Sequence, residues 1–276
     1  MAGKRRPPRG DGRRDDRGEA RSVYIHGIHP VAEFLRHHPG QVEEILVREG
    51  QRNPRLAVLM EDARAAGVAA RTVAELPGEG RDGVAQGVAA RIRPVQPLDF
   101  ADLCAQLPAF DHPPLLLALD CIQDPHNLGS IIRSAAAAGV DALLLPRDRA
   151  AGFTATVYKV SAGALAMVPV CQVTNLARSL QELRKIGIWV WGADSRGGAS
   201  IYDADATLPL CLVMGGEHKG IRPLVRDGCD RLVCIPMQTS LDSLNVATSA
   251  AILLFEIIRQ RTALRPSFPG AFGTRS

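Results

Sequence analysis

The sequence LLLALDCIQDPHNLGSIIR, residues 115–133, decides the fold class. It begins with an uninterrupted apolar run at 115–119, passes through a short polar stretch, and continues into a helical pattern at 128–138 that Gly139 ends. A short apolar run followed directly by a helix predicts a strand buried on both faces. Such strands belong to parallel α/β sheets that are covered by helices on both sides.

The same alternation extends over the rest of the chain and divides it into two α/β domains. A larger domain at 114–262 and a smaller one at 23–93 are separated by a proline-rich linker at 94–113 with one short helix at 99–107. The larger domain combines the strand and helix at 115–138 with predicted strands at 140–145, 168–173, 188–191, 210–214 and 232–235, and predicted helices at 155–166, 176–185 and 246–260. The smaller domain has predicted helices at 29–38 and 54–66, and predicted strands at 42–48, 68–73 and 84–92.

The two ends of the chain are predicted to lie outside these domains. Residues 1–22 are predicted to be a disordered basic tail and 263–276 a flexible one, because neither holds enough apolar residues to build a core. The first 21 residues carry eight basic and four acidic side chains out of 33 and 29 in the whole chain, so the net charge of +4 lies entirely there. Composition favours an RNA-contacting arm and a solvated tail equally.

Several functional classes are excluded by what the sequence lacks. The longest apolar runs, such as 208–214, are far shorter than the ~18 residues of a membrane span, and no secretory signal precedes them, so we expect a cytoplasmic protein with no membrane partner. Six cysteines and seven histidines show no metal-ligand spacing, so no metal is predicted. The GEGRDG stretch at 78–83 has the letters of a dinucleotide fingerprint, but Pro77 precedes it and a strand follows, which predicts a turn.

Three polar segments follow predicted strands. They are 120–133 with Asn127, Gly129 and Arg133, then the glycine-rich 215–220, and then 235–245. Because the carboxyl ends of parallel strands meet at one edge, we expect the three segments to converge there. Arg133 lies one helical turn after Gly129, which has no side chain to block a close approach. The guanidinium could therefore bind a phosphate or a developing oxyanion beside this glycine. The alternative is that Asn127 only caps the helix, Gly129 only packs and Arg133 pairs with a surface carboxylate.

Taken together, three motifs resemble those of the SpoU-type RNA 2′-O-ribose methyltransferases. They are Asn127-x-Gly129-x-x-x-Arg133, Gly216-Glu217-x-x-Gly220 and Ser243-Leu244-Asn245-Val246. Residues 24–29 and 86–88 further resemble the small L30e-like substrate-binding domain of those members that methylate a guanosine in the peptidyl-transferase region of 23S rRNA. The resemblance implies a catalytic domain with a C-terminal trefoil knot. Sequence periodicity would not predict this fold, because knots are nearly absent from proteins.

The resemblance also implies the ligands and the residues that hold them. S-adenosylmethionine would be the cofactor, 23S rRNA or its precursor the substrate, and a second copy of the chain a homodimer partner; DNA, which lacks the 2′-hydroxyl, is excluded. Two positions depart from the family pattern: Ala85 stands where a histidine is common, and Ala247 where a serine is common. The implied catalytic residues are Arg133, Asn127, Glu217 and Asn245, supported by Ser243, and the implied cofactor-binding residues are Gly215, Ile235 and Leu244.

Arg133 is expected to stabilise negative charge on the reacting 2′-oxygen, because a guanidinium is a poor proton acceptor. The proton would leave to phosphate or water. Two other functions remain open from the sequence: a tRNA ribose 2′-O-methyltransferase, and a non-catalytic RNA-binding factor in ribosome assembly. The separate N-terminal domain favours rRNA by analogy.

Overall fold

The smaller domain is a four-stranded mixed sheet with two helices. The computed structural model describes residues 22–78, 86–148, 150–195, 197–217, 219–239 and 243–263. The strands follow the order β1-β4-β2-β3, in which β4 is antiparallel to both neighbours and β2 is parallel to β3. The elements are β1 (Val23–His26), α1 (Ile28–His37), β2 (Val42–Arg48), α2 (Pro54–Ala65), β3 (Ala70–Val73) and β4 (Val88–Ile92).

The larger domain is built on a seven-stranded parallel sheet, which confirms the predicted fold class. Its order is β7-β6-β5-β10-β8-β11-β9, with the fully buried β5 (Leu115–Asp120) beside β10 (Leu210–Gly215). The trefoil knot stays a prediction. The other strands are β6 (Ala142–Pro146), β7 (Val170–Val173), β8 (Trp189–Ala193), β9 (Ala199–Ser200) and β11 (Arg231–Cys234).

Helices cover both faces of this sheet. None of the helices within the described ranges has the length and apolar character that a bilayer span requires. They are α3 (Phe100–Gln106), α4 (Pro125–Ala137), α5 (Ala155–Val160), α6 (Leu176–Lys185), α7 (Pro223–Arg226) and α8 (Val246–Ala263).

Two local predictions were wrong. The residue that caps α4 is Asp124, whose carboxylate accepts the backbone N–H groups of His126 and Asn127, so Asn127 lies inside the first turn. The helix predicted at 155–166 ends at Val160, because Ala162 and Gly163 adopt left-handed conformations with φ of 51° and 90°. A short 3-10 turn, Ala164–Ala166, follows.

The region predicted as a linker packs against the larger sheet. Leu98 forms a bridge with Cys171, and Leu103 and Leu107 are buried in the core on one face of the sheet. The predicted short helix is present as α3, capped by Asp99. A second hydrophobic core continues without interruption from the smaller domain into the larger one.

Arg261, near the end of α8, joins the last helix to the beginning of the larger domain. Its guanidinium donates hydrogen bonds to the carbonyl oxygens of Pro113 at 2.6 Å, Pro114 at 3.2 Å, Ala206 at 3.1 Å and Leu208 at 2.6 Å. These carbonyls belong to the segments that lead into β5 and β10. One side chain therefore fixes the segments that lead into both central strands, β5 and β10.

We expect Arg261→Ala to lower the free energy of unfolding by about 2 kcal/mol, because hydrogen bonds to charged groups are each worth ~1.5–3 kcal/mol when well formed. Denaturant unfolding followed by circular dichroism measures this change. Arg178→Ala, which alters an exposed arginine on α6, is the matched control and should stay within ~0.5 kcal/mol. Equal stability of the two variants would contradict the proposed role of Arg261.

Candidate active site

The carboxyl ends of β5, β10 and β11 meet at one edge of the larger sheet, as the sequence predicted. A cavity of about 840 Å³ opens there between the segments that follow β10 and β11. This volume lies in the range of ~300–1,000 Å³ that is usual for small-molecule sites. Its apolar lining is formed by Met214, Ile221, Val233, Ile235, Leu244 and Leu253, and its polar lining includes Glu217, Ser243, Asn245 and Ser249.

Asn127, Glu217 and Asn245 form one hydrogen-bonded network at this cavity. The side-chain oxygen of Asn245 caps α8 by accepting the N–H groups of Ala247 at 2.8 Å and Thr248 at 3.3 Å. The amide nitrogen of Asn245 must therefore face Asn127, to whose oxygen it donates at 3.0 Å. Asn127 in turn directs its own amide nitrogen at Glu217 Oε1. The cap of one helix thus fixes the orientation of both amides and of the carboxylate.

The glycine-rich segment after β10 folds back tightly on itself. The N–H of Gly220 donates to the oxygen of Gly216 at 2.8 Å, which closes the turn beneath the cavity. A Cβ at Gly215 would lie 2.1 Å from the carbonyl carbon of Gly220 and 2.2 Å from the nitrogen of Ile221. Only glycine allows this approach, so Gly215 is required for the cavity wall to form.

Asp120 and Arg222 hold this segment in place, and the sequence analysis missed both. Asp120, the last residue of β5, is fully buried. Its carboxylate accepts the backbone N–H of Arg222 at 2.8 Å and pairs with the guanidinium at 2.6 and 2.8 Å. The ion pair raises the pKa of Arg222 further. An acid directly after five apolar residues was the available signal, because a buried carboxylate needs a charged partner.

Arg133 and Gly129 are not arranged as the sequence suggested. A Cβ at Gly129 would lie 2.7 Å from Cβ of Val160, so this glycine packs α4 against α5, as the alternative interpretation held. Arg133 is exposed, does not line the cavity, and forms no hydrogen bond or ion pair in the part of the chain that the structure describes. Arg133 therefore supplies no positive charge to the cavity of its own chain, whose basic lining residues are Lys219 and Arg226.

The other predicted ligand-binding positions lie at the cavity. Gly215, Ile235, Ser243 and Leu244 all line it. Ala247, where the family commonly has serine, is half-buried in the first turn of α8 and contributes its backbone N–H to the Asn245 cap. Ala85, the other departure, lies outside the described residues.

Two known domain families match this chain, one in the larger domain and one in the smaller. The SpoU rRNA Methylase family matches residues 114–255, and the RNA 2′-O ribose methyltransferase substrate-binding domain matches residues 24–98. The chain belongs to the SpoU methylase family. The network of Asn127, Glu217 and Asn245 lies within the range that the SpoU methylase family matches.

Relatives of the SpoU family align with nearly the whole chain. The 23S rRNA (guanosine-2′-O-)-methyltransferase RlmB of Pseudomonas aeruginosa is 45% identical over 244 residues, which cover 87% of this chain and 97% of the relative. The enzyme of the same name from Xylella fastidiosa is 43% identical over 244 residues, covering 88% and 98%. Among solved structures, the SpoU methyltransferase AviRb of Streptomyces viridochromogenes, crystallised with AdoMet, matches with a TM-score of 0.71 at 28% identity, covering 88% and 91%.

Proposed function

We propose that this SpoU protein transfers a methyl group from AdoMet (S-adenosylmethionine) to the ribose 2′-oxygen of a guanosine in 23S rRNA, in the peptidyl-transferase region. The observation that carries the proposal is the convergence of Asn127, Glu217 and Asn245 into one network at a cavity of about 840 Å³. The relatives named as 23S rRNA (guanosine-2′-O-)-methyltransferases support the choice of RNA and of nucleoside.

The cavity suits AdoMet in size and in chemistry. Its half-polar lining offers apolar side chains to an adenine ring and polar groups to the ribose and amino-acid parts. The glycines at 215 and 216 let the end of β10 pack directly against the backbone of Gly220 and Cys121, which shapes the wall of the cavity. Gly215, Ile235 and Leu244 would hold the cofactor, which supplies the methyl group as an activated sulfonium donor.

The polar network would orient the ribose at the mouth of the cavity. Asn245 is fixed by its capping role and Asn127 by Asn245, so neither amide needs to reorganise when RNA binds. Preorganised polar groups of this kind lower the barrier because they are already aligned before the reaction. Glu217 supplies the one negative charge of the network.

We further propose that the active unit is a homodimer in which Arg133 of each copy serves the cavity of the other. Support comes from the exposed position of Arg133, away from the cavity of its own chain. Leu224, 79% exposed, adjoins the cavity-lining Pro223 and offers apolar surface for a second copy. The guanidinium would stabilise the developing charge on the 2′-oxygen, since a cation held beside that oxygen favours its anionic form.

We expect Glu217→Gln to lower the rate of methyl transfer about tenfold, the equivalent of ~1.4 kcal/mol, because a neutral amide accepts a weaker hydrogen bond than a carboxylate. The glutamine can still accept from Asn127, so AdoMet affinity and thermal stability should stay close to those of the unchanged protein. Single-turnover methyl transfer and calorimetry measure the two quantities. A variant with an unchanged rate would show that the charge of Glu217 is not used.

Labelled methyl transfer tests the proposed function directly. The protein is incubated with labelled AdoMet and total RNA from cells that lack it, and the modified nucleotide is mapped by reverse-transcription stops. We expect label in 23S rRNA at one guanosine 2′-oxygen. Label in tRNA would establish the tRNA alternative, and AdoMet binding without any transfer would favour the non-catalytic assembly factor. The cytoplasmic location expected from the sequence stays a prediction.

A further inference from the structure

The two domains meet at a closely packed contact that we call the domain seam. Helix α1 of the smaller domain lies against the 3-10 turn that follows α5 in the larger domain, and β1 lies against α5 itself. His38 Nε2 lies 2.9 Å from the oxygen of Ala166, and since a carbonyl only accepts, the histidine carries its proton on Nε2. The seam residues are Pro30, Glu33, Phe34 and His38 on one side, and Tyr158, Gly163 and Ala166 on the other.

Gly163 brings the two backbones together at the seam. Its φ of 90° favours glycine, and a Cβ there would lie 2.9 Å from Cβ of Glu33 and 3.2 Å from Cα of Pro30. Any larger residue must therefore push α1 away from the turn. Because the helix predicted at 155–166 ends early, the chain can turn at Gly163 toward the smaller domain.

Tyr158 joins three segments at the centre of the seam. Its ring is only 2% exposed and packs edge to face on Phe34, with 6.0 Å between ring centroids and 67° between planes. Its hydroxyl oxygen accepts the backbone N–H of Val95, in the segment between the domains, at 3.0 Å. Burial raises the pKa of this hydroxyl, so it stays neutral. The side chain thus fastens α1, the connecting segment and α5 to one another.

The helix that carries Tyr158 also touches the helix that carries Asn127. Val160, two residues after Tyr158, contacts Gly129, two residues after Asn127. Lys159, between Tyr158 and Val160, lies close to His26 of β1. Burial lowers the pKa of His26, and the positive charge of Lys159 lowers it further. A packed path therefore runs from the smaller domain through α5 to the polar network.

We propose that Tyr158 is a positioning residue that fixes the smaller domain against the catalytic domain, so that RNA bound by the former meets the cavity in one orientation. The inference rests on the proposed function, since it requires an RNA substrate held by both domains. A fixed seam avoids the entropic cost of aligning two tethered domains at each turnover. When the seam loosens, RNA still binds but presents its ribose productively for a smaller share of the time.

Tyr158→Phe tests this proposal, because it removes one oxygen and leaves the ring in place. We expect kcat on 23S rRNA to fall about tenfold, while the Kd values for RNA and for AdoMet change less than about twofold. Gly163→Ala, which wedges the seam at another point, should give the same pattern. Arg261→Ala is the stability control: it should lower the unfolding free energy and leave kcat unchanged at temperatures well below its Tm.

Three outcomes would overturn the role of Tyr158: an unchanged kcat, a loss of RNA affinity as large as the loss of kcat, or the same kcat loss in Arg261→Ala. If the unchanged protein methylates no RNA, the proposed function fails instead. Small-angle scattering of the same variants then tests the seam without substrate. We expect a larger radius of gyration in Tyr158→Phe and in Gly163→Ala. An unchanged radius of gyration would refute the proposal that these residues fix the two domains against each other.

Discussion

Replacing Arg133 by alanine is expected to lower methyl transfer about 10²–10³-fold, the usual cost of removing one donor that stabilises a developing oxyanion. AdoMet affinity should change little, because the proposed role of Arg133 is toward the 2′-oxygen of the RNA and not toward the cofactor. Single-turnover transfer from labelled AdoMet measures the rate. Arg178→Ala, which changes another exposed arginine, is the control and should be fully active. Near-normal turnover of Arg133→Lys would remove the case for a planar guanidinium.

Mixing two inactive variants determines which copy of the chain supplies Arg133. In a dimer that shares its sites, a chain with Arg133→Ala and a chain with Asn127→Ala together form one intact site. Random association of equal amounts would restore about a quarter of the normal activity. No recovery would mean that Arg133 acts within its own chain, despite its distance from the cavity lining in the structure.

Replacing Gly215 by alanine is expected to weaken AdoMet binding about a hundredfold or more, the equivalent of ~3 kcal/mol. The added methyl group would lie 2.1 Å from Gly220 and 2.2 Å from Ile221, and both contacts are with backbone atoms. Because backbone cannot rotate away, the whole turn must shift into the space that the cofactor needs.

Titration calorimetry measures the affinity, and thermal unfolding without ligand shows whether the fold survives. Gly40→Ala is the matched control, because a Cβ at Gly40 meets nothing within 4 Å. It should bind AdoMet as the unchanged protein does. A Gly215→Ala variant with normal affinity would mean that the turn beneath the cavity is not part of the cofactor site.

The convergence of the three motifs was predictable because it follows from a general property of parallel sheets. Once 115–119 and 210–214 are identified as buried strands, their polar carboxyl ends must lie at the same edge. The structure places Asn127, Glu217 and Asn245 within hydrogen-bonding distance there. Asparagine favours the N-cap position, and Asn245 caps α8.

Other features depend on contacts between distant residues, which local patterns do not encode. Asn127 and Asp124 are both good capping residues, and Asp124 is the cap because the helix begins at Pro125, a residue that favours the first helical position. Alanine rarely adopts a left-handed backbone, so Ala162, with φ of 51°, gave no sequence signal that the helix would end before it. The pairing of Asp120 with Arg222 and the contacts of Tyr158 join segments that are far apart along the chain.

The pairing of Leu115 with Leu210 at the centre of the larger sheet sets an order of events during synthesis. The smaller domain has all its strands once Ile92 has left the ribosome, and it can collapse while translation continues. β5 can pair with β6 soon after both emerge, but its other edge stays unpaired until β10 has been made, and Arg261 can engage Pro113 only after α8 has emerged. A nascent chain therefore carries a finished RNA-binding module ahead of an unfinished enzyme, whose apolar strands need protection from aggregation until translation ends.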